Sequence, residues 1–286
     1  MKLPLALTAA LTRKKLGLHT LSLDRFEVGT AHTVDDYEQA FQLVHAAYVF
    51  QGIEVNIGGQ ALRMTPQHVL AESTILLAHE KERPVGTLTV TLDSPAQLPL
   101  DDDYPRELAA LRKAGATLVE YGSLMVVRRC WQSGVAHLLN MTATNFASNL
   151  LGGTHVVAGI HPRALPLYAG LFGLRPIGKV RRHSHLHAPV QGMVGEFASI
   201  QRFMAKHHRR PMMSGQRPVD HFFGELPSCI KRPPISSLED LRRWKLPREV
   251  FQEMFIHRSD HLKTLDGRTR AHLRAERSWR TLEVSV

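Results

Sequence analysis

Residues 117–127 read Thr117-Leu-Val-Glu-Tyr-Gly-Ser-Leu-Met-Val-Val127, and a turn of small residues, Gln132-Ser-Gly-Val-Ala136, follows. The apolar and β-branched side chains of the first stretch predict a long strand. Its interior Gly122 is typical of a bulge or of a close approach by a ligand. The turn predicts a helix over residues 134–150, whose free N–H groups would attract an anion such as a phosphate. Taken alone, the same residues also fit an ordinary strand–helix turn.

The surrounding sequence predicts helices and strands in alternation after an antiparallel start, which indicates an α/β fold around a mixed sheet. Thr33 and Asp36 resemble a helix-capping pair. The other elements expected are a helix over 34–51, strands over 74–78 and 85–92, a helix opened by Pro105, a strand over 154–158, a helix over 163–171, and strands over 174–180 and 185–198.

The composition is that of a globular protein. The chain has 286 residues, of which 43% are hydrophobic and 22% charged, so bulk disorder and a fibrous fold are excluded. No apolar run is long enough to span a membrane. Two cysteines, Cys130 and Cys229, provide neither a disulfide framework nor a zinc cluster, and we expect Cys130 to be a buried thiol. We therefore expect a cytoplasmic protein.

The positive charge is concentrated near the C-terminus. Residues 201–286 contain 18 Lys and Arg against 10 Asp and Glu, out of a net charge of +10 for the whole chain. Prolines punctuate the first part of this region, and basic helices are expected over 237–245 and 247–280. We divide the chain into an N-terminal arm (1–25), a core (26–200) and a basic, mainly helical extension (201–286). The arm is expected to lie on the core or on a membrane surface. The charge favours an acidic partner.

Histidines and arginines form three further groups. His183, His185 and His187 alternate, so on a strand they would share one face. Because Arg181 and Arg182 precede them without an adjacent acid, we expect a solvated strand edge and no metal site. Residues 207–210 and the pair Arg242-Arg243 are expected to be basic surface, with docking of an acidic carrier protein as the functional alternative.

Several motifs occur in an order that resembles the bacterial long-chain N-acyl amino acid synthase family, which has a core related to the GNAT acetyltransferases and to the acyl-homoserine-lactone synthases. The motifs, within residues 26–198, are Val85-Gly-Thr-Leu-Thr-Val-Thr-Leu-Asp-Ser-Pro-Ala-Gln-Leu-Pro-Leu-Asp101, Glu107-Leu-Ala-Ala-Leu-Arg112, Glu120-Tyr-Gly-Ser-Leu-Met-Val126, and Ile160-His-Pro-Arg163 with Tyr168 and Phe172-Gly173. The resemblance implies a GNAT-like mixed-sheet sandwich that transfers a long fatty acyl group from an acyl carrier protein to the amine of an amino acid or a similar small amine.

The implied reaction needs a base for the acceptor amine, and Glu120 matches the family position for it. Unpaired burial of this carboxylate would be costly, so we expect it to be solvated, partnered or raised in pKa. The structural alternative is an ion pair with an arginine: Arg128, Arg129 or Arg163. Tyr168 lies where GNAT enzymes often place the acid that protonates the leaving thiolate, and Ser123 is a third catalytic candidate. Main-chain N–H groups around residues 124–127 would bind the oxyanion.

The donor phosphate would bind the N–H groups of Gly134, Val135 and Ala136, aided by Arg128 or Arg129. Acetyl-CoA enzymes begin this loop with Gln or Arg, whereas this chain has Trp131, so we expect an acyl-phosphopantetheine thioester on a carrier protein in preference to acyl-CoA, and no bound cofactor. The acyl chain would lie in an apolar cleft, for which the candidate lining is Leu88, Val90, Phe146 and Leu150; each of these also fits simple core packing.

Two alternatives remain open. The homoserine-lactone synthases carry arginines where this chain has Thr89 and Ser123, so lactone synthesis from S-adenosylmethionine is the less favoured enzyme. A non-catalytic protein that contacts nucleic acid or a membrane through its basic tail is the other alternative. Few aromatic residues (7%) and no helix-turn-helix pattern argue against sequence-specific nucleic-acid binding.

Overall fold

The computed structural model describes residues 5–15, 25–52, 62–209, 218–224, 230, 246–259 and 261–275. The strands are β1 (Glu27–Thr30), β2 (Ser73–Glu80), β3 (Arg83–Leu92), β4 (Leu118–Val126), β5 (His155–Ile160), β6 (Arg175–Arg182) and β7 (Pro189–Glu196). The main helices are α1 (Leu5–Lys15), α2 (Val34–Phe50), α3 (Pro105–Lys113), α4 (Val135–Asn145), α5 (Leu165–Phe172), α6 (Phe197–His207) and α7 (Pro218–Phe223).

The seven strands form one mixed sheet in the order β1-β2-β3-β4-β5-β7-β6. All neighbours pair antiparallel except β4 and β5, which are parallel. A parallel pair needs a crossover connection, and α4 supplies it. The α4 crossover therefore starts directly beyond the end of β4, as the sequence predicts.

The sheet is buried on both faces because its strands alternate two sets of side chains. In β2, Leu76 packs with α4, whereas its neighbours Ile75 and Leu77 pack with α2. On β3 the apolar set (Leu88, Val90 and Leu92) lies in the core on the α4 side, as predicted. The three threonines of the opposite face are buried as well, and their hydroxyls are hydrogen-bonded to Leu76, His68 and Ser73.

Helices cover the two faces unequally. The largest apolar cluster lies between the sheet and α4, α5 and α6, with Phe197, Ile200 and Met204 supplied by α6. On the other face, α2 covers the β1–β3 side, and α3 with Tyr104 covers β5, β6 and β7. Helix α2 begins with the expected capping box, since Asp36 N–H donates to Thr33 Oγ1 at 3.1 Å.

Several elements were not predicted, among them β1, α6 and α7, the last of which lies in the proline-punctuated stretch. Strand β1 is only four residues long, too short for a periodic signal. Helix α6 begins at Phe197 and continues to His207, through the stretch assigned to a strand end and to the start of the extension. The boundary that we drew at residue 200 therefore falls inside a helix whose apolar side packs on the core.

The extension does not contain the long helix expected over 247–280. Its described part consists of Arg248–Val250 continuing as π-helical turns over Phe251–His257, then His261–Thr264 and Gly267–Ala275. Phe251 and Phe255 are fully buried against α2, so the π-helical turns pack on the core. The other expected helix, over 237–245, lies outside the described residues.

Helix α1 packs against α5 and α6, so the described part of the N-terminal arm lies on the core. None of the helices in the described chain combines the length and the apolar content needed to cross a bilayer.

Candidate active site

Strands β4 and β5 separate half-way along their length. Their parallel pairing ends at Glu120 and Val157. Beyond this point β4 pairs only with β3 as far as Val126, and β5 pairs only with β7 as far as Ile160. The two strands therefore open a slot in the middle of the sheet.

Strand β4 carries a bulge in its pairing with β3, beside the slot. Thr87 pairs with Met125 and Thr89 pairs with Gly122, so three steps along β4 oppose two along β3. Ser123 has a φ of 51°, a backbone conformation that residues other than glycine rarely adopt. Such a conformation lowers the stability of the fold by about 1–3 kcal/mol. The bulge predicted at Gly122 is thus present, and it removes Ser123 and Leu124 from the ladder with β3.

A cavity of about 320 Å³ occupies the slot and the space on either side of it. This volume lies within the range of small-molecule sites. The lining is largely apolar and comes from α2, β3, β4, α4, β5, α5 and the β6–β7 region. Its members include Tyr48, Gln51, Leu88, Tyr121, Gly122, Ser123, Leu124, Asn140, Thr144, Ile160, His161, Tyr168, Phe172, His183, Leu186 and Val190.

Two of the three catalytic candidates, Ser123 and Tyr168, line this cavity. Burial raises the pKa of Tyr168 to about 12. The hydroxyl of Tyr168 forms no hydrogen bond within the described part of the chain. Tyr168 therefore keeps its proton at neutral pH and can donate it to a group in the cavity.

Glu120 lies at the closed end of the slot, one residue before the lining begins. Its side chain is 7% exposed and does not line the cavity; its Oε2 accepts the Leu100 N–H at 2.8 Å. Burial, helped by three aspartates at 101–103, raises its pKa to about 8, although the Leu100 bond opposes this. Our alternative of an ion pair with an arginine is wrong, because the partner is a backbone N–H.

The start of α4 forms a second cavity, of about 310 Å³, lined by Lys15, Trp131, Gln132, Gly134 and Ala136 among others. Gly134 caps the helix with a φ of 92°, a conformation that favours glycine. No acceptor in the described chain takes the N–H groups of residues 134–136. Val135 itself is fully buried, so its contribution is confined to the backbone.

The two arginines expected beside this helix start are both exposed, and neither lines the cavity. Arg128 lies 5.7 Å from the ring centre of Phe50, and Arg129 lies 3.9 Å from Glu80. Among the described residues, Lys15 of α1 supplies a cation to the lining of this cavity.

Two histidine predictions need correction. His183 lies beyond the end of β6, in a turn closed by its N–H to Ala188, so the three alternating histidines do not share a strand face. His183 lines the slot cavity, and no cluster in the described residues could hold a metal ion. His208 is not basic surface but fully buried, with Nε2 at 3.1 Å from Gly170 O. Arg210, Arg242 and Arg243 lie outside the described residues.

Only some of the residues expected to line the acyl cleft or to bind the oxyanion have the expected surroundings. Leu88 lines the cavity, whereas Val90 and Phe146 belong to the packed core and Leu150 packs against it. The Val127 N–H donates to Val85 O at 2.9 Å and is not available to a ligand. Cys130 is buried, as expected, and burial raises its pKa, so it is not an activated thiol.

A family model described as N-acyl amino acid synthase FeeM matches residues 39–196, more than half of the chain. The chain belongs to this family. The matched region starts in α2 and ends with β7, so it contains the slot, the bulge and the start of α4. The protein is therefore an acyltransferase with a GNAT-like fold.

Solved structures of family members and their relatives have the same fold. The structure of FeeM, an N-acyl amino acid synthase from uncultured soil microbes, is 18% identical and has a TM-score of 0.57, covering 65% of this chain and 99% of that one. BjaI, a CoA-dependent acyl-homoserine lactone synthase with MTA, is 16% identical with a TM-score of 0.51, covering 76% and 98%. A comparison with curated proteins found no significant match.

Sequence reasoning missed Lys15, Tyr48 and the role of His183 as lining residues. Lys15 follows an apolar run whose position on the core no local pattern encodes. Tyr48 has the helical spacing of a core residue, but it lies in the last turn of α2, where the helix faces the slot.

Proposed function

We propose that this protein transfers a long-chain acyl group from the phosphopantetheine thioester of an acyl carrier protein to the amino group of an amino acid. The nitrogen attacks the thioester carbonyl, a C–N bond forms and the C–S bond breaks. The ammonium proton goes to a base, and the leaving thiolate receives a proton from an acid. The products are an N-acyl amino acid and the free carrier thiol. The observation that carries this proposal is the slot between β4 and β5, with an apolar cavity on it and, beside it, the N–H groups of residues 134–136, which no acceptor in the described chain takes.

The start of α4 suits the phosphate of the donor arm. The helix dipole favours an anion, as do the N–H groups of residues 134–136, which have no acceptor among the described residues. Lys15 adds a positive charge within the same cavity. Leu124 lines both this cavity and the slot cavity, so an arm held at α4 can reach into the slot. Arg128 and Arg129 do not line the cavity, so in this proposal they attract the donor from the surrounding surface by their positive charge.

The surface around the cavity at the start of α4 supports a donor that is carried by a protein. Phe50 and Trp131 are 64% and 56% exposed, and their ring centres lie 6.4 Å apart. Arg128 adds a cation beside Phe50, and Lys14 and Lys15 are exposed at the end of α1. Exposed aromatic groups ringed by cations fit an acidic protein surface, because aromatic and Arg side chains are enriched at binding hot spots and charge steers the encounter.

The acid and the base differ in their access to the thioester. Tyr168 lines the slot and supplies the proton for the leaving thiolate. Glu120 receives the amine proton through water, since its carboxylate does not reach the cavity. A base with a pKa of about 8 is well matched to an ammonium group near neutral pH. Ser123 holds the bulge open, and the backbone around Ser123 and Leu124 faces the developing oxyanion.

The test is an assay of the full chain with dodecanoyl-loaded acyl carrier protein or dodecanoyl-CoA and a pool of amino acids, analysed by mass spectrometry. N-dodecanoyl amino acids, formed more efficiently from the carrier protein, are the expected product. Hydrolysis alone, or lactone formation from S-adenosylmethionine, would refute the proposal.

A charge-reversed variant tests the carrier surface. Lys14→Glu with Arg128→Glu should lower the preference for the carrier donor over the CoA donor by about tenfold, since two surface cations are lost. Arg106→Glu with Lys113→Glu, at two exposed cations of α3 that are not part of this surface, is the matched control and should leave the ratio unchanged. An equal effect of both double variants would remove the docking surface from the proposal.

A further inference from the structure

Two hydroxyl groups meet in the lining of the slot cavity, on the face of the sheet that α4 covers. The Tyr121 hydroxyl donates to Thr144 Oγ1 at 3.3 Å, and both residues line the cavity. Tyr121 comes from β4 and packs against the largest apolar cluster. Thr144 comes from the last turn of α4 and is 4% exposed. Polar groups removed from water are costly unless hydrogen bonds satisfy them, so this pair indicates a polar contact inside the cavity.

The wall around the hydroxyl pair is apolar. Val156 of β5, Phe172 of α5, Leu174 beyond the end of α5 and Ile200 of α6 all line the same cavity and belong to the apolar core. These side chains suit the methylene groups of a long acyl chain, because they offer no hydrogen bond. The hydroxyl pair is therefore a polar point on the part of the wall that suits the acyl chain.

The hydrogen bond between the two side chains leaves bonding capacity on Thr144. A threonine hydroxyl has one donor and two acceptor positions, and the bond from Tyr121 occupies one acceptor position. Thr142 of the same helix donates its hydroxyl to Leu138 O at 2.9 Å, whereas Thr144 donates to no acceptor among the described residues. Because Thr144 lines the cavity, its hydroxyl can donate to an oxygen atom of a bound molecule.

The position of the pair along the donor path follows from the neighbouring cavities. A small pocket shares Ala136 with the cavity at the start of α4, and shares Asn140 and Tyr168 with the slot cavity. Thr144 lines the slot cavity but not the small pocket, and it lies one helical turn, or about 6 Å, beyond Asn140. A donor arm that starts at α4 therefore reaches Tyr168, our proposed acid, before its acyl chain reaches Thr144.

We propose that Thr144, held by Tyr121, binds an oxygen substituent on carbon 3 of the acyl chain, so that the enzyme prefers 3-oxygenated acyl donors to plain ones. The inference rests on the proposed function and deepens it. Thr144 donates to a 3-oxo or a 3-hydroxyl oxygen, and its remaining acceptor position can take the proton of a 3-hydroxyl. Claisen condensation of thioesters places a ketone on carbon 3, and reduction of that ketone gives the 3-hydroxyl. Chain elongation on a carrier protein is therefore the class of reaction that would supply this donor.

The experiment compares acyl chains that differ in this oxygen. Acyl carrier protein loaded with dodecanoyl, 3-hydroxydodecanoyl, 3-oxododecanoyl or 12-hydroxydodecanoyl is assayed with the same pool of amino acids. For wild type we expect kcat/KM to be about tenfold higher for a 3-oxygenated chain than for dodecanoyl, which is the usual contribution of one hydrogen bond. The 12-hydroxy chain should be used no better than dodecanoyl, because only an oxygen close to the thioester meets Thr144.

A pair of matched variants tests the threonine. Thr144→Val keeps the shape of the side chain and removes its hydroxyl, so the ratio of kcat/KM between 3-oxygenated and plain chains should fall to about one. Thr142→Val is the control, because Thr142 is a buried threonine of the same helix that does not line the cavity, and it should keep the wild-type ratio. Tyr121→Phe, which removes the group that orients the Thr144 hydroxyl, should lower the ratio part of the way.

A binding measurement gives a second readout that does not need turnover. N-(3-hydroxydodecanoyl)-leucine should bind wild type more tightly than N-dodecanoyl-leucine in a calorimetric titration. Thr144→Val should abolish this difference, and Thr142→Val should retain it.

The outcomes separate the two proposals. If wild type forms no N-acyl product from any of the four donors, the proposed function fails, and the inference fails with it. If products form but neither 3-oxygenated chain is preferred, if the 12-hydroxy chain is preferred equally, or if Thr144→Val and Thr142→Val change the ratio to the same extent, the inference alone is overturned. A preference for one of the two 3-oxygenated chains that Thr144→Val removes supports the inference and identifies the form of the donor.

Discussion

Glu120→Gln should make the protein more stable and less active at the same time. The substitution keeps the shape of the side chain, and the amide oxygen can still accept the Leu100 N–H that Oε2 accepts at 2.8 Å. What it removes is the ionisable proton. Since we assign the amine proton to this carboxylate, kcat should fall by about 10²–10⁴-fold, the usual contribution of a general base.

The gain in stability follows from the pKa. Burial raises the pKa of Glu120 from 4.5 to about 8, so between these values the folded state holds a proton that the unfolded state releases. The free energy of unfolding of wild type therefore falls as pH rises through this window. At pH 7 the 2.5 pH units above 4.5 correspond to about 3 kcal/mol, at 1.36 kcal/mol per unit. Glutamine does not ionise, so the variant is free of this destabilisation. The unfolding temperature of Glu120→Gln should therefore lie about 6 °C or more above that of wild type.

The measurement is thermal and urea unfolding of both proteins at pH 4.5, 6, 7 and 8, together with the N-acylation rate. The stability difference should be close to zero at pH 4.5, grow up to pH 8 and then level off. The wild-type rate should rise with pH up to about 8, and this rise should be absent in the variant. Glu107→Gln is the control, because Glu107 is paired with Arg181 at 2.5 Å and its loss should lower stability. A variant with wild-type activity would exclude Glu120 as the base, and a pH-independent stability difference would refute the buried, protonated carboxylate.

Three other predictions concern single side chains. Tyr168→Phe should lower kcat by about 10²-fold or more with an unchanged donor KM, because only the proton donor is lost; a normal kcat with carrier-bound thioester would exclude Tyr168 as the acid. Ser123→Gly should relieve the positive φ and raise stability by about 1 kcal/mol; if Ser123→Gly and Ser123→Ala both keep full N-acylation activity, the hydroxyl has no catalytic role. Burial lowers the pKa of His208 to about 4, so wild type should lose stability as pH falls from 6.5 towards 4. His208→Gln should flatten that loss in urea titrations, and an unchanged pH profile would contradict the burial of this ring between α5 and α6.

The parts of the fold that sequence reasoning predicted correctly have local signals. Helix α2 has a capping box and helical spacing, and β3 has period-two alternation. Helix α6 was missed because it follows β7 without a turn residue, and the π-helical turns after Val250 break the helical period. The site shows the same division: Gly122 and the small residues at 132–136 have a local signature, whereas Lys15 and His183 reach the cavities through tertiary packing.

At the slot, the described core departs in three ways from the usual pattern of a buried sheet. Within four residues of β4 it buries a carboxylate without a cation, places a serine at positive φ and gives up the ladder to one neighbour. Each feature costs stability, and strain that a folded protein retains is typical of functional sites. The three features also depend on one another. The strand pair ends at Glu120, which leaves the next residues without a partner on that side, and Ser123 and Leu124 of the bulge line the cavity. A simple packing role would require none of them, whereas the function that we propose uses each of them.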